Sequence, residues 1–183
     1  MDTHARPWRT AERTTVAPGV EIAYLVDDCS DGWKDAPVVL MLHGIAESAE
    51  AFNGWVPHLA RDHRVIRADL RGYGRSSAVD EHENLSISML ADDIAAMAGN
   101  LRLERLHLIG TKLGAQIALE LAQRRPPWLA SVTLAGVLIS PGGTLGKWVQ
   151  QWIDLVDAHG VEGWARATMP GRMGSALSAE ASD

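Results

Sequence analysis

The stretch Leu106-His107-Leu108-Ile109-Gly110-Thr111-Lys112-Leu113-Gly114-Ala115 constrains the chain most. An apolar run of strand type stops at Gly110 and turns within two residues. It then continues from Leu113 to Arg125 at helical spacing, until Pro126-Pro127 ends it. So short a joint makes strand and helix cross closely. Small residues at Gly110 and Gly114 permit the crossing, and the side chain at the apex, Lys112, is pushed out of the bend. Any fold built around this joint presents Lys112 at the end of a buried strand.

The chain before the joint repeats strand and helix patterns. Arg13 to Ala17 and Val20 to Val26, joined by Pro18-Gly19, read as a hairpin at a sheet edge, with residues 1 to 12 a loose lead-in. Asp27 to Ala36 reads as a loop. Pro37-Val38-Val39-Leu40-Met41-Leu42 is continuously apolar, as a strand buried on both faces must be. It ends at His43-Gly44-Ile45-Ala46-Glu47-Ser48. Ser48 can cap a helix from about Ala49 to Arg61, distorted by Asn53-Gly54 and Pro57. Arg64 to Ala68 is the next strand, and a glycine-punctuated loop, Asp69-Leu70-Arg71-Gly72-Tyr73-Gly74-Arg75-Ser76-Ser77, follows it. Ser86 to Ala98 carries Ile87, Leu90, Ala91, Ile94 and Met97 on a helical stripe.

After the joint, Leu129 to Gly136 is one more strand. Beyond Ser140-Pro141-Gly142-Gly143 a helical stripe of Trp148, Trp152, Ile153, Leu155 and Val156 runs to Gly160. A second short helix, around Val161 to Ala167, carries Trp164, and Met169-Pro170-Gly171 ends it. Strands alternating with helices imply right-handed βαβ units. The expected fold class is therefore α/β, a mostly parallel sheet with helices on both faces. The division expected is 1–140 for the sheet unit and 141–183 for the helical start of a second unit and a tail.

Composition argues mildly against several partners. A net charge of −6, without a basic stripe, argues against nucleic acid and anionic membranes. Cys29 is the single cysteine, so no internal disulfide forms, and a reducing compartment is expected. Met1-Asp2-Thr3-His4-Ala5-Arg6 has no apolar stretch behind it, so the expectation is a cytoplasmic protein without signal peptide or membrane anchor. His4, His58, His63, His82 and His107 lack metal-ligand spacing, and neither a metal nor any other cofactor is expected.

Three stretches now fit one pattern in order. They are His43-Gly44 after one strand, Asp69-Leu70-Arg71-Gly72-Tyr73-Gly74-Arg75-Ser76 after the next, and Gly110-Thr111-Lys112-Leu113-Gly114 after the third. Together they resemble the α/β-hydrolase superfamily over roughly residues 16 to 170. By that resemblance the joint is the nucleophile elbow, whose apex is ordinarily serine, cysteine or aspartate. Here it is Lys112. The resemblance also implies an oxyanion hole from the backbone N–H groups of Ile45 and Leu113, with His43, Gly44, Thr111, Trp148 and Trp152 around the pocket. From Val137 onward the chain would begin the helical cap. Family members continue past the cap with two further strand–helix units, which bring the catalytic acid and histidine. These residues therefore read as the N-terminal portion of such a protein. The readings left open are a truncated chain, a nicked chain, or one half of an assembly in which a second chain completes the sheet or a second copy joins it; a small-molecule substrate or ligand is expected in each.

Lys112 decides the expected chemistry. An acylated lysine is an amide, which water opens far more slowly than an acyl-serine ester, so ordinary esterase turnover is disfavoured. A neutral Lys112 could form a Schiff base with a carbonyl. From about 10.4 that needs a shift of roughly three pKa units, while a helix N-terminus supplies less than about 1.5. Burial under the tryptophans would have to supply the rest. A cationic Lys112 would instead bind a substrate carboxylate or stabilise an enolate in decarboxylation or C–C bond chemistry. The enzyme reading is thus cofactor-independent chemistry on a small carbonyl or carboxylate compound. The alternatives are a non-catalytic ligand-binding or regulatory protein, or an ordinary hydrolase whose nucleophile was replaced. His43 reads as a packing and hydrogen-bonding residue rather than a base, and Asp69 as a cap of its own loop or a partner of Arg71 or Arg75, with a position facing Lys112 as the alternative.

Overall fold

The computed structural model describes residues 9–33, 35–80, 82–137 and 144–172, with side chains of the last segment described from 149 to 169. The chain divides into two compact units, Met1–Leu138 and Ile139–Asp183.

The first unit is built on six strands: β1 (Arg9–Ala17), β2 (Val20–Asp27), β3 (Val38–Leu42), β4 (Arg64–Ala68), β5 (Leu106–Thr111) and β6 (Leu129–Ala135). Their order across the sheet is β1-β2-β4-β3-β5-β6. β1, β2 and β4 pair antiparallel, whereas β4, β3, β5 and β6 are parallel. The expected edge hairpin is present but longer. Arg9 lies opposite Asp27 and Glu12 opposite Tyr24, so the end of the lead-in is strand. Two side-chain bonds extend it: Arg9 Nε donates to Asp27 Oδ1 at 2.6 Å and Tyr24 Oη to Glu12 Oε2 at 2.8 Å.

Side-chain alternation sorts the buried strands into two cores. Leu40, Leu42, Ile66, Ala68, Leu106 and Leu108 face α2 (Ile87–Asn100) and α3 (Leu113–Arg124), which press Leu90, Ile94, Met97, Ile117 and Leu121 onto them. Val39, Met41 and Val65 face the other way, onto Phe52, Val56 and Ala60. α2 starts where Ser86 Oγ accepts the Met89 N–H at 3.1 Å, the N-cap bond that satisfies a first-turn donor.

The helix expected over residues 49 to 61 is two short pieces, a 3-10 turn at Ala49–Phe52 and α1 (Val56–Leu59). Asn53-Gly54 breaks the first, and Pro57, which has no N–H to give an upstream carbonyl, sits in the first turn of the second. Arg67 pins the turn to the sheet. Fully buried, it donates from Nε to Asp27 Oδ2 at 2.7 Å and from Nη1 to Ala49 O at 2.8 Å and Asn53 Oδ1 at 2.9 Å.

The second unit contributes α4 (Thr144–Arg172), bent at Gly160, where φ is 67° and ψ 178°. The bend makes two helical pieces, as the spacing predicts. The second runs past Met169-Pro170-Gly171 to Arg172; a proline this close to the end removes a single intrahelical bond. Trp152 and Trp164 pack edge to face across the bend, with ring centroids 5.5 Å apart.

Candidate functional site at the carboxyl ends of β3 and β5

In parallel sheets of this kind, ligands are met at the carboxyl ends of the strands. β3 and β5 are parallel neighbours with Leu42 opposite Gly110, so the segments that follow them, His43–Ser48 and Thr111–Leu113, emerge side by side. The Gly114 N–H donates to His43 O at 3.0 Å and the Lys112 N–H to Ala135 O at 2.8 Å, tying the bend to both neighbouring strands. Contact is tight enough to dictate glycine. A Cβ at Gly114 would lie 2.1 Å from Leu42 O, and one at Gly110 would lie 2.3 Å from Gly114 O.

Lys112 occupies φ 51°, ψ −108°, outside the ordinary wells of a residue with a Cβ. That conformation turns its side chain out of the bend, as the small-residue frame predicts. The stem crosses Gly44, where an added Cβ would come 2.8 Å from Lys112 Cδ, and it lies near Gly136, whose Cβ would stand 3.8 Å from Cγ. Its ammonium ends on Glu47, donating to Oε1. Glu47 Oε2 accepts the Gly44 N–H at 2.9 Å, so one carboxylate links the lysine to the backbone of the other loop. Burial raises the Glu47 pKa. The Lys112 and Gly44 hydrogen bonds and the Lys112 charge outweigh that and hold the carboxyl below its usual 4.5. The Lys112 side chain stays 57% exposed within this arrangement. The dry surroundings that an imine-forming amine needs are not among the described contacts.

The other expected site residues fall in three places. Ile45 sits on the β3 loop as an exposed residue, and Leu113 is the first residue of α3, so its N–H has no acceptor within the helix. Gly44 and Thr111 lie directly in the loops. The buried Thr111 hydroxyl has no hydrogen-bond partner among the described residues. His43 is fully buried rather than open to a ligand. Its Nε2 accepts the Leu70 N–H at 3.0 Å, so Nδ1 carries the proton and donates to Gly44 O at 2.8 Å. Burial lowers the His43 pKa from 6.5, against the raising effects of the Gly44 carbonyl and the Asp69 and Glu47 charges. His43 thus braces both loops as a neutral ring. Trp152 belongs to the second unit, and the side chain of Trp148 lies outside the described residues.

Asp69 is likewise a loop anchor. It accepts from the Ala49 N–H at 2.7 Å and the Arg75 N–H at 3.0 Å, and Arg75 Nε stands 3.5 Å away. Arg71 turns elsewhere, to Asp93 and Glu83. Glu47 is the residue that reading the sequence passed over. Its signal was its place three residues after Gly44, where a carboxylate can fold back onto a loop N–H.

A groove of about 650 Å³ lies at the opposite, amino ends of β3, β4 and β5, lined by Arg64, Arg102, Arg105 and His107 among others. It shares no residue with the Lys112 loops. Among the described residues no group of three or more His, Cys, Asp or Glu could hold a metal ion, and no helix is long and apolar enough to cross a membrane.

Comparison with known proteins agrees with this architecture. The chain is 30% identical over 133 residues to a putative carbamate hydrolase, RutD, of Rhizobium rhizogenes, covering 73% of this chain and 50% of that protein. It is 30% identical over 122 residues to a fluoroacetate dehalogenase of a Burkholderia species, covering 65% and 40%. It therefore spans about half the length of the curated relatives it matches. Among solved structures, the enol-lactonase of Burkholderia xenovorans superposes with a TM-score of 0.75 at 23% identity, over 87% of this chain and 58% of that one. The sequence profile of the alpha/beta hydrolase fold matches residues 37–179, the part of the chain that holds β3 to β6, both site loops and α4. On that match, the chain belongs to the alpha/beta hydrolase family.

Proposed function

We propose that the protein is a cofactor-independent enzyme of the alpha/beta hydrolase fold, acting on a small carbonyl or carboxylate compound with Lys112 as its central, cationic residue. The observation that carries this reading is the Lys112 ammonium, held by Glu47 at the apex of a strained bend between two loop ends. In this reading the N–H groups of Ile45 and Leu113 receive the substrate carbonyl oxygen. The ammonium stabilises the negative charge that develops there, or binds a carboxylate beside it. A lysine paired with a carboxylate and more than half exposed favours the cation over the imine. Two similar proteins are named for related chemistry: fluoroacetate is a small carboxylate, and an enol-lactone carries a carbonyl.

The test is Lys112→Ala assayed with small haloacids, lactones and β-keto acids. Loss of an electrostatic group of this kind lowers kcat by about 100-fold or more. Unchanged turnover in the variant overturns the proposal. Borohydride added during turnover should leave the protein mass unchanged, and a reduced adduct on Lys112 would replace the cationic reading with the imine one.

A further inference from the structure

The Lys112 ammonium already holds a carboxylate, and the chain supplies it. Glu47 reaches Nζ from the loop after β3, with its side chain 22% exposed and its second oxygen on the Gly44 N–H. We propose that Glu47 is an internal competitor for this cation, and that a small monocarboxylate enters the site by replacing Glu47 at Lys112 Nζ. This rests on the reading of Lys112 as an anion-binding cation, but not on any turnover.

The argument is one of charge and room. An ammonium has three donors and no acceptor, so it can exchange one carboxylate for another without other groups changing protonation. Two carboxylates on one ammonium repel and share its charge, so a ligand weakens the Glu47 contact as it arrives. Unlike Arg71, which holds Asp93 and Glu83 on a broad guanidinium, Lys112 offers a single point charge, and Glu47 is the carboxylate with room to swing away. Its exposure gives it a route, and only one hydrogen bond to the loop, from Gly44, resists the motion. The buried His43 is held by Leu70 and Gly44, and Asp69 by Ala49 and Arg75, so neither can take Glu47's place on the lysine.

The experiment uses acetate as the probe and calorimetry as the readout, with methyl acetate as the uncharged control. Glu47→Gln keeps the shape and an acceptor for Gly44 while removing the competing charge. It should bind acetate about fivefold more tightly than the unaltered protein, the scale of one partly exposed ion pair. Lys112→Met should not bind acetate, and methyl acetate should bind none of the three proteins. Equal or weaker acetate binding by Glu47→Gln overturns the proposal, as does an absence of acetate binding by both Glu47→Gln and the unaltered protein. A second readout needs no variant at position 47. In the unaltered protein labelled with carbon-13 at glutamate carboxyls, acetate should shift the Glu47 resonance saturably, and a resonance that stays fixed while acetate binds overturns it. Because binding and turnover are read separately, acetate displacement without catalysis would sink the enzyme reading alone.

Discussion

Lys112 and Glu47 meet as an ion pair although 65 residues separate them, each standing just beyond the end of a parallel strand. The pair sits over Gly44, whose missing side chain leaves room for both. Gly44→Ala would place its Cβ 2.8 Å from Lys112 Cδ and 3.0 Å from both Lys112 Cβ and Glu47 Oε2, side-chain atoms of the pair itself rather than backbone. We expect a melting temperature close to that of the unaltered protein and a displaced Lys112, read as loss of the acetate-induced shift at Glu47.

Gly114→Ala should behave oppositely. Its Cβ would meet the Leu42 carbonyl 2.1 Å away, and neither strand nor helix can yield. A loss of about 3 kcal/mol or more in urea denaturation is the expected outcome. A variant as stable as the parent would mean that α3 does not cross β3 this closely.

Lys112→Gly should raise stability. The non-glycine residue at φ 51°, ψ −108° costs on the order of 1–3 kcal/mol, whereas glycine loses about 0.5–1 kcal/mol through chain entropy and the exposed ion pair contributes little. A net gain of about 1 kcal/mol at the denaturation midpoint would mark the bend as strained for the sake of the side chain it projects.

The frame of this site was legible in the sequence, while its electrostatics were not. Gly110, Gly114 and the flanking apolar runs fix a strand, a bend and a helix through local sterics, so the placement of Lys112 followed from ten consecutive residues. The parallel strands followed equally well from their unbroken apolar runs. Glu47 did not, because its partner is chosen by the adjacency of β3 and β5, and no local pattern encodes that. Arg67 was missed for the same reason. A lone arginine in an apolar strand is interpretable only once Asp27, Asn53 and the Ala49 carbonyl surround it.

That buried cluster makes its own prediction. Asp27→Ala leaves the Arg67 guanidinium, with 0% side-chain exposure, without its carboxylate and should cost about 3–5 kcal/mol. Replacing both, as Asp27→Leu with Arg67→Met, should cost much less, because no uncompensated charge remains inside. Equal losses for the two proteins in chemical denaturation would show that the charge is not what the cluster depends on.

Stability should fall on acidification in two stages. Burial lowers the His43 pKa below 6.5, so the unfolded chain binds the extra proton first and the fold weakens as pH drops from 6.5 toward the folded value. Glu47, held below 4.5 against its own burial mainly by Lys112, contributes stability that is present above 4.5 and lost beneath it. Melting temperatures measured across this range should show the upper stage clearly and the lower one weakly, because the ion pair behind it is exposed. His43→Gln should flatten only the upper one, and an unchanged slope just below 6.5 would mean that His43 is not the titrating group.

The strand order carries a kinetic consequence. β3 lies between β4 and β5, so the chain lays down β4 on one side of β3 and then returns past it to place β5 on the other. The two halves of the site therefore cannot meet through any local hairpin or helix. They come together only when a long loop has closed, the slow and entropically costly kind of step in assembling a sheet. A spectroscopic label beside Lys112 would consequently act as a clock for the completed sheet, silent through early helix formation and switching on with the last crossover.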